Sequence, residues 1–347
     1  MSEIADMEDT GEVNVPIEAI QVIDPEVISK LPPETKVLNI TTHGASFWTR
    51  TARLDAECEG DPVQYFLKTS SGDHGRQMMS SELHCMLKIH AVKPDLVPRP
   101  IACGTYQSLP SVHFYLCEFR AMKGSLPDLE TFPAKMAKLH RAGTSANGKF
   151  GFDVPTFHGN TRIDHGWSDT WEEYFSRTTR ILFELEQAAR GPSKEIEQLV
   201  RPFFERVVPR LLRPMETGGR VIRPALIHGD LWDGNADVDA ETGDPIIFDA
   251  ASFYAHNEYE LGVWRQPWNK IQGPYRMRYY EHFPKSQPEE DFDDRNLLYA
   301  TRVNLLDSIL YKEDMSYREM LISGMRQLVS KYPGGFEEWE ASQEHPH

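Results

Sequence analysis

The stretch "HGDLWDGN", residues 228–235, most narrows what this chain can become. It sets two aspartates, a histidine, an asparagine, two glycines and a tryptophan straight after the apolar Ala225, Leu226 and Ile227. Nineteen residues beyond Asp230, Asp249 stands behind a second apolar run, "PIIFD". Short apolar runs bounded by polar turns read as strands. The pattern therefore puts carboxylates and an amide at the ends of two buried strands, with "DAETGDP" as the second turn. The expectation is a hairpin over 224–249, set among helices in the wall of a cleft.

The rest of the chain falls into two kinds of pattern. Residues 1–34 are acidic, end in "KLPPETK", and read as a loose, partly flexible extension with a short helix over 17–30. Residues 35–120 read as a small strand-rich region. "VLNITTHG", "FWTRTARLDA" and "VQYFLKTS" alternate as strands do, and so do "VPRPIACGTY" and "SVHFYLCEF". One helix interrupts them over 74–92, where Met79, Leu83, Leu87 and Ala91 recur every four residues. Residues 121–347 are mainly helical, with helices expected over 130–145, 168–190, 193–216, 292–311 and 315–331.

Bulk properties exclude some functions. A chain of 347 residues can build two lobes. A formal charge of −16 argues against a nucleic-acid partner or an acidic membrane surface. It leaves a nucleotide possible, because phosphate sites are local and a metal ion can supply the positive charge. No run of 18 apolar residues predicts a membrane span, and the acidic first residues do not read as a secretory signal. Cys58, Cys85, Cys103 and Cys117 have neither metal nor disulfide spacing, so they read as reduced thiols of a cytoplasmic protein.

Phosphoryl transfer from ATP needs few parts: a lysine and backbone around the phosphates, Mg2+ held by oxygen ligands, and an acceptor for the nucleophile's proton. A catalytic aspartate, an asparagine five residues on and a metal-binding aspartate after the next strand form the kinase-type order. Asp230, Asn235 and Asp249 fit it. A strand lysine with a helix glutamate is the other half, and Lys68 and Glu82 fit that. Asn235 can bind magnesium without adding charge, Asp249 can bridge the ion to the phosphates, and Glu82 can steady a floppy lysine. Each residue alone has a plainer role. Lys68 can be an edge-strand lysine, Glu82 a surface helix residue, and the aspartates and Asn235 turn formers. The joint order favours the kinase reading. Gly44, Ala45 and Ser46 form a turn opposite Lys68, and this is the natural cover for phosphates although it holds one glycine only.

"HGDLWDGN" together with "IIFDAASFYAHNEYEL" resembles the fructosamine-3-kinase (ketosamine-3-kinase) family. The family carries HGDLW-x-GN followed by D-x-A-x-x-Y-x-H-x-E-x-[DE]-L. Asp249, Ala251, Tyr254, His256, Glu258, Glu260 and Leu261 match the second run. "GFDVPTFHGNTRIDHGWSDTWEEYFSRTTR" and "LKTSSGDHGRQMMSSELHCM" extend the likeness over roughly residues 36–332. The resemblance implies an α+β, bilobal protein-kinase-like fold with a β-rich N-lobe and a helical C-lobe. It also implies ATP-dependent phosphorylation of the 3-hydroxyl of a ketoamine sugar on a small amine or a glycated protein, leading to deglycation.

Carried across, Asp230 resembles the catalytic base and Asn235 and Asp249 the magnesium ligands. Lys68 and Glu82 resemble the phosphate-anchoring pair, and Glu118, Phe119 and Arg120 the adenine-contacting hinge. Trp232 resembles the residue against which the sugar packs, the alternative being a core residue. His256 and Glu258 are expected either to line the acceptor pocket or to brace the loop, and Glu260 to tether the catalytic loop.

The chain departs from the family in three places. Ala45 and Ser46 stand where relatives often carry a cysteine, so the loop has no sulfur for a redox switch. Ala250 replaces a common proline. "ELGVWRQPWNKIQGPY" differs from a segment usually rich in Gly and Phe. Two other functions compete: a kinase of the aminoglycoside or choline kinase type, which would lack Trp232 and the Tyr254–His256–Glu258 run, and a pseudokinase-like binding module.

Overall fold

Alternation decides the first half of the molecule. In strand Arg50–Cys58 the buried Ala52, Leu54 and Ala56 alternate with Arg53 and Asp55, so one face goes to a core. A computed structural model of the chain describes residues 15–44, 46 and 48–344. In it five antiparallel strands form one sheet: β1 (Thr35–Thr42), β2 (Arg50–Cys58), β3 (Asp61–Ser71), β4 (Pro100–Thr105) and β5 (Val112–Glu118). Their spatial order is β1-β2-β3-β5-β4.

Register gives the sheet two distinct faces. Leu67 lies opposite Leu116, while the next residue, Lys68, lies opposite Tyr115. The leucine face joins Leu54, Phe114 and Val112 in an apolar core. The Lys68 face meets the long helix Gly72–Val92, whose Met79, Glu82, Cys85, Met86 and Ile89 are buried.

The leucine face is covered by residues expected to be loose. Val15, Ala19, Ile20, Val27 and Leu31 all lie in that core. The segment forms a 3-10 turn at Ile17–Ile20 and the short helix α1 (Pro25–Ser29). Asp24 ties it down. Its carboxylate accepts from the N–H groups of Glu26 (2.8 Å), Gln107 (2.9 Å) and Ser108 (2.8 Å) and from the Ser108 hydroxyl (2.6 Å). Burial opposes its charge, but these donors hold its pKa below the usual aspartate value. Ile20, Val27 and Leu31 each contribute roughly 1.5–3 kcal/mol by leaving water. The reading of 15–34 as an extension is therefore corrected: an apolar sheet face needs a lid, and these side chains provide it. Residues 1–14 lie outside the described residues.

The chain divides into two compact units. One holds the residues up to Pro127 together with Asn235–Ala251, and the other holds Asp128–Gly234 and Ser252–His347. In the first unit, Ala236–Val238 pairs with Pro245–Ile247. This hairpin is fixed by Lys123 N–H to Val238 O (2.9 Å) and Ile247 N–H to Leu96 O (2.9 Å).

The expected pairing over 224–249 is also corrected. Ala225–Ile227 pairs not with Pro245–Ile247 but with Phe253–Ala255, in the second unit. Three-residue strands carry no register signal of their own, so outside partners choose: Leu226 N–H donates to Gly143 O at 2.6 Å.

The second unit is helical, as expected. Phe292–Leu310 holds the fully buried Arg295 and Arg302, and Trp171–Arg190 and Met315–Lys331 pack with it. The predicted helix over 193–216 is broken into Lys194–Pro202, a wider turn at Phe203–Val207, Val208–Leu212 and Arg213–Glu216. Pro202, Pro209 and Pro214 cannot donate to a continuous ladder, which explains the breaks. Helices Gly273–His282 and Gly335–Glu344 were not foreseen. No helix among the described residues is long and apolar enough to cross a membrane.

Candidate active site

Lys68 is carried on β3 with its side chain 9% exposed. A buried ammonium without partners is costly. Two carboxylates meet it: Glu82 from the helix Gly72–Val92 at 2.8 Å and Asp249 at 2.6 Å. Burial works against the Lys68 charge, yet Asp249 and Glu82 hold its pKa above the ordinary lysine value. For Glu82 burial dominates and pushes its carboxyl up to about 7, despite the lysine beside it. Lys68 thus stays an ammonium shared between two acids.

Asp249 is positioned by an unusual backbone. Its φ is 61°, in the left-handed region that aspartate tolerates better than most residues. Its side chain is 52% exposed, so the carboxylate holding Lys68 is also open to a ligand. Asn235 is buried at 5%, and its carbonyl accepts from the N–H of Phe248, next to Asp249, at 3.1 Å. The donor set is therefore one amide and one carboxylate, both oxygen. That fits magnesium, which takes few protein ligands and completes its shell with water and phosphate oxygens. Among the described residues no group of three or more His, Cys, Asp or Glu could hold a metal.

The other residues expected on the nucleotide side lie in the same unit. Gly44 has φ 77°, and its turn is closed by His43 N–H to Thr51 O at 3.0 Å. Ser46 Oγ accepts from Trp48 N–H at 3.2 Å, so this hydroxyl shapes the turn. Ala45 lies outside the described residues. At the end of β5, Glu118 accepts from Arg99 N–H (3.2 Å) and pairs with Arg120 (3.2 Å), and Arg120 pairs with Asp239 (2.7 Å). The Phe119 ring meets His43 edge-on at 5.0 Å. The Glu118 and Phe119 N–H groups donate to Arg99 O (2.9 Å) and Gln64 O (3.1 Å), so backbone and side chains together hold the segment in place.

In the second unit the chain leaves the strand Ala225–Ile227 through Gly229, φ 87°. Glu260 accepts from the backbone N–H of His228 (2.5 Å) and of Gly229 (3.0 Å), which is the tether expected of it. Trp264 donates its indole N–H to Leu231 O at 2.9 Å. Asn269 accepts from Asp233 N–H at 3.2 Å, and Asp233 accepts from Lys270 N–H at 3.0 Å. The loop carrying Asp230 is thus pinned along its length by residues 260–270. Trp232 is 37% exposed and meets Trp268 edge-on at 6.0 Å. A Cβ on Gly234 would lie 2.2 Å from the Trp232 ring, so glycine there lets the indole keep this position.

His256 and Glu258 meet protein partners. Both are fully buried. Glu258 pairs with Arg295 (2.9 Å) and accepts from Ser286 N–H (2.7 Å). Burial raises the cost of its charge, but Arg295 more than offsets this and keeps its pKa below the usual glutamate value. His256 bonds Tyr299 and Ser286, both at 2.8 Å, and burial pushes its pKa down to about 4. Their expectation as substrate residues is corrected to bracing, because a distant arginine already satisfies the acid. The sequence reading missed His158, whose Nδ1 lies 3.5 Å from Asp230 Oδ1. Its signal was present: "FHGNTR" makes a two-residue hairpin with Gly159 at φ 53°.

The sequence profile of the fructosamine kinase family matches residues 49–328. A protein-ribulosamine 3-kinase from Oryza sativa subsp. indica, named as chloroplastic, is 31% identical over 255 residues, covering 70% of this chain and 68% of that one. The ketosamine-3-kinase of Mus musculus is 30% identical and covers 69% of this chain and 80% of its own. Among solved structures, a candidate fructosamine-3-kinase from Thermobifida fusca superposes with a TM-score of 0.69 at 18% identity, covering 85% of this chain and 94% of its own. The aminoglycoside phosphotransferase APH(4)-Ia superposes at 0.56 and 14% identity, covering 89% of this chain and 98% of its own, a likeness of fold alone. The chain belongs to the fructosamine kinase family and shares its kinase-like fold.

Proposed function

We propose that this protein transfers the γ-phosphoryl group of ATP to the 3-hydroxyl of ketoamines, fructosamine or ribulosamine adducts of amines or of glycated proteins. The observation that carries this reading is Lys68 held at 2.6 Å from Asp249 and 2.8 Å from Glu82, the charge arrangement a triphosphate site requires. Lys68 neutralises phosphate charge, and Glu82 steadies it. Asn235 and Asp249 are the residues that would hold Mg2+, which when bound neutralises charge on the transferring phosphoryl oxygens. The Gly44 turn and the segment of Glu118, Phe119 and Arg120 serve the nucleotide. Asp230 orients the acceptor hydroxyl and takes its proton, while the exposed Trp232 face suits the C–H surface of a sugar.

The test is a coupled ATPase assay on fructosamine and ribulosamine acceptors, with choline and an aminoglycoside as controls. Ketoamine-dependent turnover is expected, and turnover with the controls alone would overturn the reading. Asp230→Asn should lower kcat by about a thousandfold with ATP affinity near normal. A variant retaining more than about a tenth of the wild-type rate counts against the base assignment.

A further inference from the structure

The helix Phe292–Leu310 carries one carboxylate that no described interaction accounts for. Asp307 Oδ2 is covered from solvent and has no hydrogen-bond partner. Nearby arginines are committed elsewhere. Arg190 donates to the carbonyls of Ser308 and Tyr311, both at 2.7 Å, and to that of Asp314. Arg318 serves Glu186 and Gly191 O. The residue is half-buried, and a covered carboxylate oxygen without a donor is a cost that folding alone does not explain.

Its surroundings point to a ligand. Tyr311 lies four residues on, one turn along the same face, and its ring stands 5.4 Å from that of Tyr317. The hairpin Thr156–Ile163, whose His158 lies 3.5 Å from Asp230, packs on this helix, and Asp307 and Tyr311 both feel the charge of Asp230. Burial, reinforced by Asp230, holds the Asp307 carboxyl well above the usual aspartate range. A carboxyl whose charge is opposed by its surroundings, one turn from Tyr311 and on the helix that the His158 hairpin meets, is stabilised by an incoming cation.

We propose that Asp307, with Tyr311 beside it, binds the charged amine of the acceptor. This rests on the ketoamine reading and deepens it. A ketoamine carries a secondary amine that is protonated near neutral pH, a short chain from the hydroxyl to be phosphorylated. Asp307 would read that charge as Asp230 takes the hydroxyl. Acceptors whose nitrogen is acylated, and so neutral, lose this contact.

The test compares wild type with Asp307→Asn on 1-butylamino-1-deoxyfructose, its N-acetyl derivative and an aminoglycoside. Asp307→Asn should raise KM for the cationic sugar about 10- to 100-fold, with kcat and the KM for ATP within about twofold. The wild-type preference for the charged sugar over its acetylated form should fall to near parity, and circular dichroism should match wild type. Equal losses on both sugars, or no change on either, would overturn the assignment while leaving ketoamine kinase activity standing. Wild type inactive on ketoamines but active on the aminoglycoside, with Asp307 sensitivity, would sink the ketoamine reading and keep the amine site. Inactivity on all three would overturn both.

Discussion

The two units of this chain hold the groups proposed for catalysis in two different ways. In the first unit, Lys68, Glu82 and Asp249 are held by one another's charge. In the second, the backbone of the Asp230 loop is held by side chains: Glu260 accepts from two N–H groups, Asn269 accepts from a further N–H, and Trp264 donates to a carbonyl. A charge cluster can exchange partners, since an anionic ligand can take Lys68 from Asp249. A backbone-pinned loop cannot exchange without leaving polar groups bare. The Lys68 cluster is thus built to rearrange and the Asp230 loop to stay fixed.

Three measurements would break or sharpen that contrast. Lys68→Met should have the largest effect, lowering kcat about a thousandfold, or ~4 kcal/mol in the transition state. Its urea midpoint should hardly move, because Glu82, already titrating near neutrality, can take up a proton. A large loss of stability would show that the cluster is structural. Glu260→Gln should act the opposite way. Losing one carboxylate acceptor under two buried N–H groups should cost about 2–3 kcal/mol in urea unfolding, with kcat reduced roughly tenfold. Full stability in that variant would deny the tether.

The smallest effect concerns pH. His256 has a folded pKa near 4 against 6.5 unfolded, so the unfolded chain binds the extra proton between those values. Wild type therefore loses stability as pH falls from 6.5 towards 4, and His256→Asn lacks that loss. The stability gap between them should shrink by about 2 kcal/mol from pH 7.5 to pH 5. A gap constant with pH would mean that His256 is not buried in its neutral form.

What could be read in the sequence follows from the range of each interaction. Lys68 on a strand, Glu82 on the following helix and Asp249 after an apolar run were legible, because local pattern places each one. The helices expected over 292–311 and 315–331 were found at Phe292–Leu310 and Met315–Lys331. The partner of Ala225–Ile227 was not, since a strand of three residues does not encode which edge it joins. Nor was the burial of Glu258, whose counter-charge Arg295 comes 37 residues later. Asp307 gave no signal for the same reason: a lone aspartate in a helix looks solvated until its surroundings are known. The apolar residues of 15–31 were visible, but their use depended on a sheet face that forms only when β4 and β5 arrive.

The Asp24 knot has a practical corollary for anyone handling this protein. Cutting the chain at Lys36, where the first strand seems a natural starting point, would strip a wall from the sheet and leave the amides of Gln107 and Ser108 without their acceptor. An affinity tag joined at that point would replace the lid with linker, and the damage would surface as insoluble material before any assay was run.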